Sequence, residues 1–324
     1  MEKMTYDEFK EKFKENFVGF LPEELRGGEI SIDVVKKVNS VKESVHFILP
    51  NVNVTPSIAL EEVYENYLKN GTFSLAMEEL AEAFVKSFEN KPEIEMDKLK
   101  DNIVYQVINT ERNEDLLKAI PHRNIGDLSV IYRGVVSSDE SGISTYVVNN
   151  SFAEQFNLSE EQLYSIASKN MHNRYPATFE PLSNVISRII GVKEMFNPEW
   201  DMNGDSKVPE NELVLLRCGE QMWGASAILD NDVMDKVCNA LDVDQVYVLP
   251  SSIYEVLICA ANQYKDPEAL AEMVQEINRN EVSEIDFLSD NVYLYDKNER
   301  RLTIANDVNK AMEIKRDNEI GITH

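Results

Sequence analysis

Apolar positions along the chain follow two rhythms, one of four residues and one of two. Phe9, Phe13 and Phe17 recur at every fourth residue, and Phe20 continues the face. Thr5 and Glu8 stand where a capping box would open this helix. The spacing predicts an amphipathic helix whose aromatic stripe belongs to a core. The run EISIDVVKKVNSVKESVHFIL then reads as two strands around a turn at Asn39-Ser40. Thr55-Pro56 predicts the next helix start, a capping residue followed by proline where no N–H is needed. Leu60, Val63, Tyr64, Tyr67 and Leu68 continue at helical spacing to Asn70-Gly71, a stop signal. Met77, Leu80, Ala81, Phe84, Val85 and Phe88 form a further face that ends before Pro92, which suggests a helical hairpin.

Beyond Leu99 the rhythm shortens. NIVYQVIN is too short for periodicity to separate a strand from a buried helical turn. NEDLLKAI reads as a short helix ended by Pro121. DLSVIYRGVV and ISTYVVNN are rich in β-branched and aromatic residues and predict a hairpin about SSDESG. Leu158, Ser159, Gln162 and Leu163 fit a hydrophobic staple with a capping box, opening a helix to about Met171. After a loop around Pro198, LVLLRCG and MWGASAIL read as a second hairpin. Met234, Val237, Cys238 and Leu241 mark a helix, and QVYVLP and YEVLICA two more strands. Asp266-Pro267 opens a helix with Leu270, Met273, Val274 and Ile277 on one face; VYLYDKNERRLTIA closes the pattern as a hairpin. These elements predict an α+β protein, antiparallel β-hairpins flanked by helices, with a helical N-terminal region. The expected divisions are 1–98, an α+β domain over 99–305 and a mobile tail over 306–324. Hairpin-then-helix order recurs near 126–171 and 213–241, as an internal duplication would produce, without residue-level similarity.

Charge narrows the partners. Of 324 residues, 58 are acidic and 32 basic, a net charge of −26. The acidic residues are dispersed and no basic stripe interrupts them, which excludes a nucleic-acid backbone or an anionic membrane as the main partner. Dispersed acidity is a solvated surface before it is a DNA mimic. The N-terminal residues have no secretory pattern, and no run of about 18 apolar residues occurs. Cys218, Cys238 and Cys259 are odd in number and far apart, which suits reduced thiols in a cytoplasm. With 12 glycines there is neither a P-loop nor a dinucleotide fingerprint, and no cofactor is expected.

Two constellations carry candidate chemistry. In DMNGDSKVPENE, Asp201, Asn203, Asp205 and Glu212 hold calcium-loop spacing. Ser206 replaces the turn glycine, Pro209 takes the ninth position, and a strand rather than a helix is expected downstream, so ordinary turn chemistry explains the same residues. In LPSSIYEV, Ser252 and Glu255 could join His122 and Asp127 as nucleophile, acid and oriented base of a hydrolase if the fold gathered them. No nucleophile elbow is present, and serine hydroxyls equally satisfy a sharp corner.

Four segments, VYQVINTERNEDLLKAIPHRNIGDLSVIYR, YVVNNSFAEQFNLSEEQLYSIASKNM, YVLPSSIYEVLI and EINRNEVSEIDFLSDNVYLYD, resemble the domain of unknown function 5688 family, in its order. The likeness runs from about Val38 to Ala305. It implies a cytoplasmic protein of a Gram-positive gut bacterium, allows carriage on a mobile element, and assigns no catalytic residue. Many family members have histidine where this chain has Tyr254. The expectation is a non-enzymatic accessory protein with a protein partner, against the alternatives of a hydrolase and a calcium binder.

Overall fold

The computed structural model describes residues 3–48, 57–89, 100–139, 142–192, 200–203, 205–218, 223–264 and 266–305. The chain divides into two units, Met1–Glu93 and Ile94–His324. The expected loop around Pro198 and the tail from Asn306 lie outside the described residues.

In the first unit, helix α1 (Tyr6–Asn16) is opened by the Thr5–Glu8 capping box. Its aromatic stripe is fully buried: Phe9, Phe13 and Phe17 are inaccessible to solvent. Phe13 stacks on Phe17 at 4.9 Å between ring centres, and Phe9 on Tyr67 at 5.4 Å. Strands β1 (Glu29–Lys37) and β2 (Ser40–Ile48) pair from Glu29↔Ile48 to Lys37↔Ser40. Asn39 turns the hairpin at φ 54°, a left-handed conformation that asparagine tolerates. Strand β3 (Ser57–Ala59) adds to β2, and helix α2 (Leu60–Asn70) follows at once. The helix start expected at Thr55-Pro56 lies outside the described residues. Helix α2 begins at Leu60, with Ala59 as an N-cap lacking a side-chain hydrogen bond. Gly71 ends it at φ 77°, and α3 (Phe73–Glu89) packs on α2.

The second unit holds a four-stranded and a six-stranded antiparallel sheet. In the four-stranded sheet, β6 (Leu128–Asp139) is central. Strand β4 (Ile103–Asn109) pairs along one side of it; β5 (His122–Ile125) and β7 (Gly142–Val147) also pair with it. Every residue of β4 is buried, which explains why no alternation marks it in the sequence. The segment NEDLLKAI contains the short helix α4 (Glu114–Leu117), and α5 (Asn150–Gln155) follows β7. Helix α6 (Glu160–Arg174), opened by the Ser159–Gln162 capping box, packs on β4.

The six-stranded sheet runs β13-β12-β10-β11-β9-β8. Its strands are β8 (Ala177–Pro181), β9 (Val214–Cys218), β10 (Gln245–Leu249), β11 (Val256–Ala260), β12 (Tyr293–Asp296) and β13 (Arg301–Ile304). Helix α7 (Leu182–Ile190) follows the edge strand β8. Helix α8 (Asn231–Leu241) joins Leu216, Val246, Val248 and Ile258 in the main core. Helix α9 (Pro267–Glu281) buries Leu270 and Val274 with Leu249 and Cys259 in a separate core.

The second half of the expected 213–229 hairpin is instead a 3-10 helix, Gly224–Leu229. Tertiary contacts decide this. A Cβ on Gly224 would stand 1.4 Å from the Tyr254 carbonyl oxygen. Ala225 N–H donates to the Ile253 carbonyl at 3.2 Å, and Ser226 Oγ accepts from Val107 N–H of β4 at 3.0 Å. Small residues let the segment wedge between the 250–254 corner and β4, where a paired strand would not fit.

Candidate functional site

The hydrolase candidates take separate partners. Ser252 forms an isolated bridge with Phe287, and its Oγ accepts from Tyr254 N–H at 3.0 Å, the local bond of a sharp corner. Glu255 is exposed. His122 Nδ1 lies 3.0 Å from the Ile120 carbonyl oxygen. Asp127 is beyond the far end of β5, whose length separates it from His122 by about 10 Å. Asp127 Oδ2 accepts from Ser289 Oγ at 2.8 Å and Oδ1 from the Tyr293 hydroxyl. This carboxylate latches the β5–β6 turn to β12. Burial, with Asp127 alongside, raises the Tyr293 phenol above its ordinary value.

The loop from Asp201 to Glu212 is occupied in fastening helices. Asp201 Oδ1 accepts from Asn203 N–H at 2.9 Å, an Asx turn. Asn203 Oδ1 accepts from Lys236 Nζ at 3.0 Å, so a cation already sits on the third ligand position. Glu212 Oε1 accepts from Ser183 N–H at 3.0 Å and supplies the N-terminal acceptor that α7 lacks. Asp205 lines a cleft of about 580 Å³ with Lys207, Lys236, Asn239 and Lys297. Lys207 donates to the Asn239 carbonyl and Lys297 to Asn239 Oδ1, both at 2.7 Å. These ammonium groups satisfy the C-terminal turn of α8, where the helix dipole favours cations. Among the described residues, no group of three His, Cys, Asp or Glu could hold a metal ion.

A third feature is geometric. Leu182, Val185, Ile186, Ile189 and Ile190 follow the i, i+3, i+4, i+7, i+8 spacing of one helical face. Its C-terminal part points outward: Ile189 is 78% exposed, Ile190 59% and Ile186 37%, whereas Leu182 and Val185 are half-buried and Asn184 and Ser187 are buried at 2% and 4%. Ser187 Oγ donates to the Asn184 carbonyl at 3.0 Å, which lets the polar side turn inward. Arg188 is held by Glu180 through bonds of 2.7 and 2.5 Å and leaves the stripe free of a mobile charge. This helix is absent from the elements predicted from the sequence; its five-residue spacing is present there, but the outward direction is not.

On the four-stranded sheet, Arg123 forms a bidentate pair with Glu160 at 2.7 and 2.8 Å and stacks on Tyr164 at 3.8 Å. Burial pushes the Glu160 carboxyl up, but bonds from Arg123 and Tyr132 outweigh it and hold the group below its ordinary value. This clamp ties α6 to the sheet.

Burial pushes the thiols of Cys218, Cys238 and Cys259 up to about 12, as suits inert core residues. No described helix is long and apolar enough to cross a membrane. No curated protein and no solved structure matches the chain. The model of a family of unknown function, DUF5688, matches residues 6–297, nearly the whole chain, and the chain therefore belongs to that family.

Proposed function

We propose that this chain is a non-enzymatic accessory protein that docks a protein partner on the outward face of α7. The observation that supports this is the inverted packing of that helix: three isoleucines outside, a serine and an asparagine inside. Full burial of such side chains is worth about 1.5–3 kcal/mol each, and a partner recovers what the isolated chain forgoes. The fitting partner is an amphipathic helix with basic flanks, since the stripe has helical periodicity and the chain carries a net charge of −26. Three buried free thiols support a reducing, cytoplasmic setting.

The test is affinity capture from host lysate with the full chain and with an Ile189→Asp/Ile190→Asp variant. A specific protein retained by the first and lost from the second is expected. Recovery of the same proteins by both, or of none reproducibly by the first, refutes docking on α7.

A further inference from the structure

Arg133 lies on β6 between Val104 of β4 and Val147 of β7. Ile131, two residues back along β6, is flanked by Gln106 of β4 and His122 of β5. Side chains paired across an antiparallel ladder share a face, so Arg133, Gln106 and His122 surround Ile131 on one side of the sheet. Arg123 and its partner Glu160 belong to the opposite side, since Arg123 pairs with Val130.

The hydrogen bonds of Arg133 go to neutral oxygens. Nε and Nη2 donate to Thr145 Oγ1 at 3.0 and 2.8 Å, and Nη1 donates to Gln106 Oε1 at 3.3 Å. A guanidinium has five N–H groups. Two therefore have no acceptor among the described residues, one on each terminal nitrogen. Such a pair can take both oxygens of one anionic group.

Arg123, Arg188 and Arg300 each hold a carboxylate. Arg26, Arg112, Arg174 and Arg279 bond neutral oxygens instead, but from exposed positions, and the half-buried Arg217 bonds no carboxylate among the described residues. Arg133 is half-buried in a chain with 58 acidic residues, yet no carboxylate among the described residues bonds it. Burial pushes its guanidinium down to about 10. A desolvated cation without a counter-charge is costly to keep, and an external anion would relieve that cost.

We infer that Arg133, with Gln106 and Thr145, forms a binding site for a small oxyanion, a carboxylate or a phosphate, with His122 at its margin. Arg133 provides the charge and the paired donors. Thr145 and Gln106 hold the guanidinium plane against the sheet.

Calorimetric titration of the full chain with inorganic phosphate and with acetate, each against chloride at matched ionic strength, tests the site. Saturable single-site binding of at least one anion is expected, weakened at least tenfold in Arg133→Met. Without anion, that variant should melt at the same temperature or higher, because an uncompensated charge has been removed. Gln106→Glu places a carboxylate where Nη1 now meets an amide; it should abolish anion binding and raise the melting temperature. Binding of phosphate alone identifies a phosphoryl ligand, and of acetate alone a carboxylate. Absence of binding to the unmodified chain overturns the site, as does unchanged binding in either variant. If Arg133→Met does not fold, Gln106→Glu decides alone.

Discussion

Helix α8 turns Val233, Met234, Val237 and Cys238 into the core, whereas α7 buries Asn184 and Ser187 and leaves Ile186, Ile189 and Ile190 outside. Both are amphipathic, and α7 has the cleaner apolar stripe. The difference lies in what each helix meets. Helix α8 joins the core formed by the interior strands β9, β10 and β11. Helix α7 leaves the edge strand β8 directly, through Pro181, and has no side-chain cap of its own. Its first turn is held by Glu212 from another segment and its flank by the Glu180–Arg188 pair. Periodicity establishes that a helix has an apolar face. The neighbouring elements decide whether that face belongs to the core.

The largest expected effect lies on α8. Met234→Ala removes a fully buried side chain and should cost about 2–5 kcal/mol in urea unfolding. A cost below about 1 kcal/mol would mean that α8 does not anchor the core and would dissolve the contrast.

The caps come next. Asp230 Oδ1 accepts from the N–H groups of Asp232 and Val233 at 3.1 and 3.2 Å, and Asp230→Ala should cost about 0.5–2 kcal/mol. Glu212→Ala leaves one amide of α7 without its acceptor and should cost about 1 kcal/mol or less. A reversed order, with Glu212→Ala the more damaging, would place α7 in the cooperative core.

The smallest expected stability effect is that of Ile189→Asp, within about 0.5 kcal/mol, because the side chain is exposed. Destabilisation approaching that of Met234→Ala would show the α7 face to be covered in solution by the chain itself.

Much of the fold was legible in local chemistry. The capping boxes at Thr5 and Ser159, the asparagine turn at position 39, the glycine stop at position 71 and the proline-led helix at 267 all appear as expected. Each depends on residues within a few positions of one another. Strand β4 was ambiguous because both its faces are covered, and the 224–229 segment misled because its apolar run is wedged rather than paired. Strand β8 and helix α7 were not predicted, although their residues carry an alternating pattern and a five-residue stripe.

The candidate chemistry was less legible. Ser252, Glu255, His122 and Asp127 are each explained by a corner, a surface or a latch rather than by one another. Arg133 gave no sign in the sequence, since an arginine that bonds neutral oxygens differs from one that holds a carboxylate only in what lies across the ladder.

The sequence by itself determined most of the longer helices, most strands, the aromatic core of the first unit and the acidic surface. All of these follow from spacing and from the transfer of apolar groups out of water. Only the tertiary structure decided which way the end of α7 faces, which side chains bond the calcium-like loop, and that Arg133 bonds neutral oxygens among the described residues. Those properties depend on neighbours distant in sequence; no pattern within one segment encodes them.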